Sequence, residues 1–267
     1  SPPTIIPSTK LKRSNAIRVV LPTPSAVRAT QPKPATKGQQ LTPQHRRGVS
    51  QPPLQDHLDL LLPHRCWGCR RSGAGLCPAC AAARESAEPL DAPQTYALFA
   101  YHDPVVQKMI WALKYRGARA VGFRLGALLY DYLAEELSEI SLLDGDDQNF
   151  LVIPIPLSPS RARARGYNQA TAIAQGLVNR GGKNFTLASH LLKRTRDTGS
   201  QTEIRARAKR LANVRGAFAV TDPSAVRGKQ IIIVDDVITT GGTLGEAKRV
   251  LERAGAKIVI AAAVAHG

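Results

Sequence analysis

Ile231-Ile232-Ile233-Val234-Asp235-Asp236-Val237-Ile238-Thr239-Thr240-Gly241-Gly242-Thr243 joins an apolar run, two adjacent acids and a small-residue turn without interruption. Four successive β-branched residues predict a strand buried on both faces, the habit of a parallel sheet covered by helices. After the turn, Leu244, Ala247, Val250 and Leu251 share one face of a helix that Gly255 ends. Glycines let backbone N–H groups close on an anion, and the new helix aims its positive end at the same point. The hydroxyls of Thr239, Thr240 and Thr243 add donors. Two carboxylates do not favour a phosphate beside them, so they should face a neutral hydroxylated group or a Mg²⁺ that the phosphates also hold. A ribose 5-phosphate meets both demands. The bland alternative, a buried strand closed by an idle polar turn, leaves two adjacent acids at a strand end with no return for their desolvation. The G-x-G-x-x-G fingerprint of dinucleotide sites is absent, and no Gly-Lys-Ser/Thr follows to make a P-loop.

Outward from this stretch, strands and helices alternate. Strands are expected at Tyr96 to Tyr101, Phe150 to Ile155 and Phe218 to Val220. A further one over Lys257 to Val264 is expected to close the sheet. Val105, Val106, Met109, Ile110 and Leu113 mark one helix face, Leu125, Leu128, Leu129 and Leu133 another, and Asn168 to Val178 a third helix. Asp144 to Asp147 reads as a loop. The pattern implies an α/β doubly wound parallel sheet with ligands at the carboxyl ends of its strands. One such end carries Pro154-Ile155-Pro156-Leu157 and then a turn, Ser158 to Gly166, with Arg161, Arg163 and Arg165. Prolines stop the strand, and guanidinium groups suit phosphate oxygens. A second anion site beside the first is one reading, and a solvated basic turn is the other.

The formal net charge of +17 is unevenly spread: residues 1–55 hold nine Lys or Arg, no acid and ten of the nineteen prolines, and the remainder carries a net +8. Residues 1–57 are therefore expected to be a disordered basic tail. It reads as a solvated extension, a polyanion-binding arm or a targeting peptide. All four cysteines fall in Cys66-x2-Cys69-x7-Cys77-x2-Cys80, which suits a tetrahedral structural zinc site over residues 58–82. Two disulfides would need an oxidising compartment, and no secretory leader is visible. A redox pair would need a βαβ setting that neither knuckle has. No apolar run approaches the ~20 residues of a membrane span, and a soluble, cytoplasmic protein is expected.

Val234 to Thr243 resembles the PRPP-binding signature of type I phosphoribosyltransferases. Arg165-Gly166-Tyr167-Asn168-Gln169, Arg194-x-Arg196-x-Thr198-x-x-Gln201, Arg210-x-x-Asn213 and Lys114-Tyr115-Arg116-Gly117 narrow the resemblance to the ComF family of competence-related, phosphoribosyltransferase-like proteins. Members often carry an N-terminal Cys₄ zinc module. Lys209 departs from the pattern, which commonly has an acid before the arginine. The resemblance covers about residues 58–267 and implies the type I phosphoribosyltransferase fold over 96–267, behind a small zinc-ribbon-like module.

The same resemblance implies that Asp235 and Asp236 read the ribose hydroxyls and that Thr239, Thr240, Gly241, Gly242 and Thr243 cradle the 5-phosphate. Arg161, Arg163 and Arg165 would meet the pyrophosphate. Arg194, Arg196 and Arg210 lie on a mobile loop that closes over it, although a solvated basic helix around Arg205 to Arg210 is an equal reading. The implied activity is transfer of phosphoribosyl from Mg²⁺·PRPP to an unknown acceptor, releasing pyrophosphate. The alternative is a non-catalytic protein of this fold that binds single-stranded DNA or competence proteins during DNA uptake.

Overall fold

The computed structural model describes residues 65–72, 75–144, 149–196 and 214–267. The basic tail, Arg210 and most of the expected mobile loop lie outside the described residues. Five parallel strands form the central sheet: β1 (Thr95–Ala100), β2 (Phe150–Pro154), β3 (Phe185–Leu187), β6 (Gln230–Ile238) and β7 (Ile258–His266), in the order β1-β7-β6-β2-β3. A separate antiparallel ribbon pairs β4 (Leu192–Arg194) with β5 (Phe218–Val220).

Alternation along each strand feeds two cores. Val152, Ile232, Val234, Ile260 and Ala262 pack under α2 (Pro104–Tyr115), α3 (Arg119–Asp144) and α5 (Gln169–Gly181). Ile153, Ile231, Ile233, Val259 and Ala261 pack under α7 (Gly242–Arg253) and the ribbon, with Leu244, Ala247, Leu251 and Phe218 facing them. The two-sided burial explains why β6 is a continuous apolar run. It also fixes where a ligand belongs. The chain leaves β2 for α5 and β3 on one side, and leaves β6 for α7 and β7 on the other. The neighbouring carboxyl ends of β2 and β6 therefore flank a topological switch point, where a parallel sheet leaves a crevice.

Helix starts follow capping chemistry. The Asp103 carboxylate accepts from the N–H groups of Val105 and Val106 ahead of α2, and Asn168 accepts from Ala170 ahead of α5. The remaining short elements are α1 (Pro78–Ala82), α4 (Pro159–Arg165) and α6 (Pro223–Val226).

Three expectations need correction. The final strand does not close the sheet but lies inside it, between β6 and β1. Its apolar run Ile258 to Ala265 needs cover on both faces and on both edges. Phe218 to Val220 is a strand, but of the ribbon and not of the main sheet. Ser158 to Gly166 is not a plain turn: Ser158 caps the short helix α4, Pro159 occupies its first turn, and Gly166 ends it at φ +70°.

Gly126 of α3 and Gly176 of α5 let these two helices approach backbone to backbone. A Cβ at Gly126 would strike the Ile173 carbonyl oxygen, and one at Gly176 the Phe123 carbonyl oxygen. Both obstacles are backbone and cannot rotate away. Gly126→Ala is expected to cost about 3 kcal/mol, the upper part of the usual range for overpacking. A urea midpoint unchanged from wild type would contradict this packing.

Candidate functional site at the carboxyl ends of β2 and β6

Strand β6 does not stop at the acids; it pairs with β7 through Ile238. Its two-residue period therefore sends Asp235 and Asp236 to opposite faces. Asp236, only 5% exposed, lies on the side covered by α2 and α5. There Lys114 Nζ sits 3.2 Å from its Oδ2, and Gln169 Nε2 donates to the same oxygen at 2.9 Å. Asp235 lies on the ribbon side, and its Oδ1 accepts from the Asp236 N–H at 2.8 Å. The distant partners, on helices ending at residue 115 and beginning at residue 169, explain why no local pattern announced them.

Burial, and then the neighbouring Asp236 charge, push the Asp235 carboxyl up from 3.8 to about 7, against the smaller pull of its hydrogen bond and of Lys114 and Arg194. Part of Asp235 stays open to the cleft, which moderates the burial effect without reversing it. The folded state then holds a proton that the unfolded chain has lost between about pH 4 and pH 7. Asp235 therefore favours the fold least above pH 7. Asp235→Asn is expected to raise the melting temperature of the ligand-free protein at pH 8, with the gain shrinking toward pH 5. A difference constant across that range would exclude a raised Asp235.

One cleft of about 250 Å³ gathers Asp235, Asp236, Thr239 and Thr243 from the end of β6, with Pro156, Arg161, Arg165 and Gln169 following β2. Lys114, Tyr101 and Arg194 complete its polar wall. Arg163 does not line it: two residues beyond Arg161 on a helix is about 200° of rotation, so the two point apart. Arg196 is also outside; its side chain reaches the Arg215 carbonyl at 3.4 Å. Next to the cleft, Thr239 to Thr243 curl around a hollow of about 30 Å³ whose wall includes Asp235. Gly241, at φ +73°, turns the chain into α7, a conformation that a side chain would strain. Gln169 Oε1 and the Tyr167 hydroxyl are buried with no hydrogen-bond partner among the described residues.

Residues 163–267 match the family described as "Phosphoribosyl transferase domain". The Escherichia coli K12 protein called "DNA utilization protein YhgH" is 28% identical over 228 residues, which is 75% of this chain and 96% of that one. "Competence protein ComFC" of Streptococcus pneumoniae is 33% identical over 140 residues, 51% of this chain and 54% of that one. Over these stretches the chain is similar to phosphoribosyl transferase domains and to relatives named for competence and DNA utilization, in line with the resemblance to the ComF family. Among solved structures, the glutamine PRPP amidotransferase of B. subtilis is 18% identical, with a TM-score of 0.33, over 57% of this chain and 30% of that enzyme. The parallel α/β sheet is the type I phosphoribosyltransferase fold expected from the sequence.

The cysteine knuckles converge as their spacing predicts. The four Sγ atoms lie within 4.8 Å of one another, and Cys69 and Cys77 are 3.8 Å apart. Thiolates about 2.3 Å from a central zinc would be separated by about 3.8 Å in a tetrahedron, so the donors suit that metal. Gly68 lets the knuckles close, since a Cβ there would sit 2.7 Å from Cys80 Sγ. Burial alone would raise the Cys66 thiol, but N–H donation from Cys77, Cys69 and Gly68 outweighs it and holds the thiol at about 6, ready to ligate as thiolate. Leu76 and Cys66 sit in the same core as Phe99, Val106 and Met109, and Arg124 Nε donates to the Leu76 carbonyl at 2.9 Å. Four thiolates leave a bound metal no open position for chemistry.

Glu246 is a positioning residue that the sequence did not announce. Buried on α7, it accepts from the Gly216 N–H at 2.6 Å and pairs with Arg249. The hydrogen bonds from Arg249 hold its carboxyl below the usual range. The helix that opens at the Thr239 to Thr243 turn thereby anchors the chain as it enters β5. Among the described residues no helix is long and apolar enough to cross a membrane.

Proposed function

We propose that the cleft binds Mg²⁺·PRPP and that the protein transfers the phosphoribosyl group to a nitrogen acceptor, releasing pyrophosphate. The observation that carries this reading is the union, in one crevice, of the β6 acids and phosphate turn with Arg161 and Arg165 beyond β2. Each half suits a different part of the ligand. The hollow of Thr239 to Thr243 presents backbone N–H groups and hydroxyls to the 5-phosphate at the start of α7. Asp235 accepts from a ribose hydroxyl, and Asp236, fixed by Lys114 and Gln169, accepts from its neighbour. Arg161, Arg165 and Arg194 face the pyrophosphate, where their planar donors match its oxygens. The free capacity of Gln169 Oε1, which lines the cleft, suits a polyhydroxylated guest.

Mg²⁺ fits as an ion that arrives with the phosphates, since such sites usually keep several waters and few protein carboxylates. Bound there, it neutralises the leaving pyrophosphate. The protein's own share is positional and electrostatic. Breaking the C1–O bond leaves positive charge on the ribose and negative charge on the departing oxygens. The acceptor nitrogen forms the new bond to C1, and pyrophosphate carries away the old bonding pair. Arginines aimed at the leaving group lower that barrier without covalent help.

The relatives named for competence and DNA utilization favour a second reading, a protein of this fold that contacts single-stranded DNA or competence proteins without turnover. Pyrophosphate release from Mg²⁺·PRPP across a panel of bases and amines separates the two. Release with one acceptor supports transfer. Tight PRPP binding with no release from any acceptor, together with salt-sensitive oligonucleotide binding, favours the second reading.

A further inference from the structure

Outside the cleft, a largely apolar concavity among the described residues measures about 440 Å³ and is lined by Trp67, Tyr101, Gln107, Lys108, Trp111 and Arg116. Its position and chemistry are both unusual. Tyr101 lines this pocket and the cleft alike, so the two are neighbours sharing one wall. Trp111 and Arg116 stand on and just beyond α2, the helix whose Lys114 holds Asp236. Trp67 comes from the first cysteine knuckle, so the metal module supplies one side. Trp111 is 50% exposed although it is the largest side chain type, and such a ring on a monomer's surface marks a recognition site when polar groups rim it.

The lining specifies its guest. Three aromatic side chains in one pocket suit a flat ring, because stacked or edge-on aromatic contacts add to the burial of apolar area. Lys108 and Arg116 are exposed cations with no carboxylate partner among the described residues, and no acid lines the pocket. The Arg116 guanidinium is already held over the Trp111 ring, 4.8 Å from its centroid, which orients its donors at the pocket mouth. Gln107 offers both a donor and an acceptor to a ring edge. We infer that this pocket binds a planar aromatic ring bearing an acidic substituent, stacked on Trp67 and Trp111 with its anion on Arg116 and Lys108, as the second ligand of the site. Calling that ligand the acceptor rests on the PRPP reading. The pocket's preference for flat anions does not.

Trp67 and Trp111 are the chain's two tryptophans, so emission excited selectively in tryptophan, away from the six tyrosines, reports this pocket. The full chain, loaded with zinc, is titrated with nicotinate and benzoate, and in parallel with neutral nicotinamide and with cyclohexanecarboxylate, which is charged but not flat. The expected result is saturable quenching by at least one flat carboxylate, about tenfold tighter than by either control. Arg116→Gln should remove the preference for the anion, and Trp111→Leu should weaken every flat probe. Absence of saturable quenching up to about 10 mM, a range that includes weak fragment-sized ligands, or equal affinity for the controls, overturns the inference. Calorimetry of Mg²⁺·PRPP on the same sample keeps the readings apart. PRPP binding without ring binding sinks the pocket alone, and ring binding without PRPP sinks the phosphoribosyl reading alone.

Discussion

The double substitution Asp235→Asn/Asp236→Asn is expected to weaken Mg²⁺·PRPP binding by about 100-fold or more. Each carboxylate stands where it would accept a charge-assisted hydrogen bond from a ribose hydroxyl, worth about 1.5–3 kcal/mol apiece. Loss of two such bonds is about 3–6 kcal/mol, or two to four powers of ten in affinity. A counter-effect exists, because removing two negative charges also relieves repulsion of the phosphates. Asp236 already carries Lys114 at 3.2 Å, so most of its charge is balanced before any ligand arrives. Asp235 lies against the small hollow of the phosphate turn and contributes the greater part of that repulsion. The hydrogen-bond loss should win, with Asp236→Asn alone costing more than Asp235→Asn alone. Asn keeps an oxygen that can accept from Lys114 but not the charge that holds the lysine at 3.2 Å, so the ribose reader on that face loses its fixed position. Unfolding is a poor explanation for a loss seen with Asp235→Asn, which should stabilise the ligand-free protein above pH 7, and a melting curve of the double variant checks the Asp236 half.

Removal of the metal from the cysteine cluster should have the largest effect on stability. Cys66 is buried in the same core as the inner faces of α2 and α3, so the knuckles are not a free appendage. Arg84 ties the second knuckle to the domain through the Cys80 carbonyl and through Asp103, the residue that caps α2. Without a metal, four converging thiols lose the bond energy that draws them together, and the hydrogen bond with Cys77, together with burial, pushes the Cys80 thiol up to about 12. Cys66→Ser, or chelation at neutral pH, is expected to cost about 5 kcal/mol and lower the melting temperature by about 10–20 °C. The transition should stay single, because Leu76 and Arg124 link the module to α3. Two separated transitions, with the upper one unchanged, would show that the knuckles contribute nothing to the sheet's stability.

Reading the sequence located the central strand, the turn and α7 because their signals are local: four β-branched residues, a glycine pair and a helical apolar period. The ribbon escaped because Leu192–Arg194 and Phe218–Val220 are three residues each and about 25 positions apart, with no shared pattern between them. The α4 helix was hidden by its composition. Seven residues rich in arginine read as a basic turn, while its real signal was Ser158 followed by Pro159, a cap and a first-turn proline. That error had a consequence for the site, since helical rotation separates Arg163 from Arg161 and Arg165. Lys114 and Gln169 stood inside quoted motifs, yet their role depends on α2 and α5 covering the same face of the sheet. Contacts between residues 114, 169 and 236 are set by strand order, which no window of the sequence contains.

The central claim is that β2 and β6 end around a single ligand. Isothermal titration of PRPP into the wild-type protein, with and without Mg²⁺, tests it most directly. One molecule per chain is predicted, dependent on Mg²⁺, with ribose 5-phosphate and pyrophosphate each binding more weakly and each competing. PRPP that fails to bind, or pyrophosphate that binds without displacing it, would contradict a cleft built for both ends of one molecule.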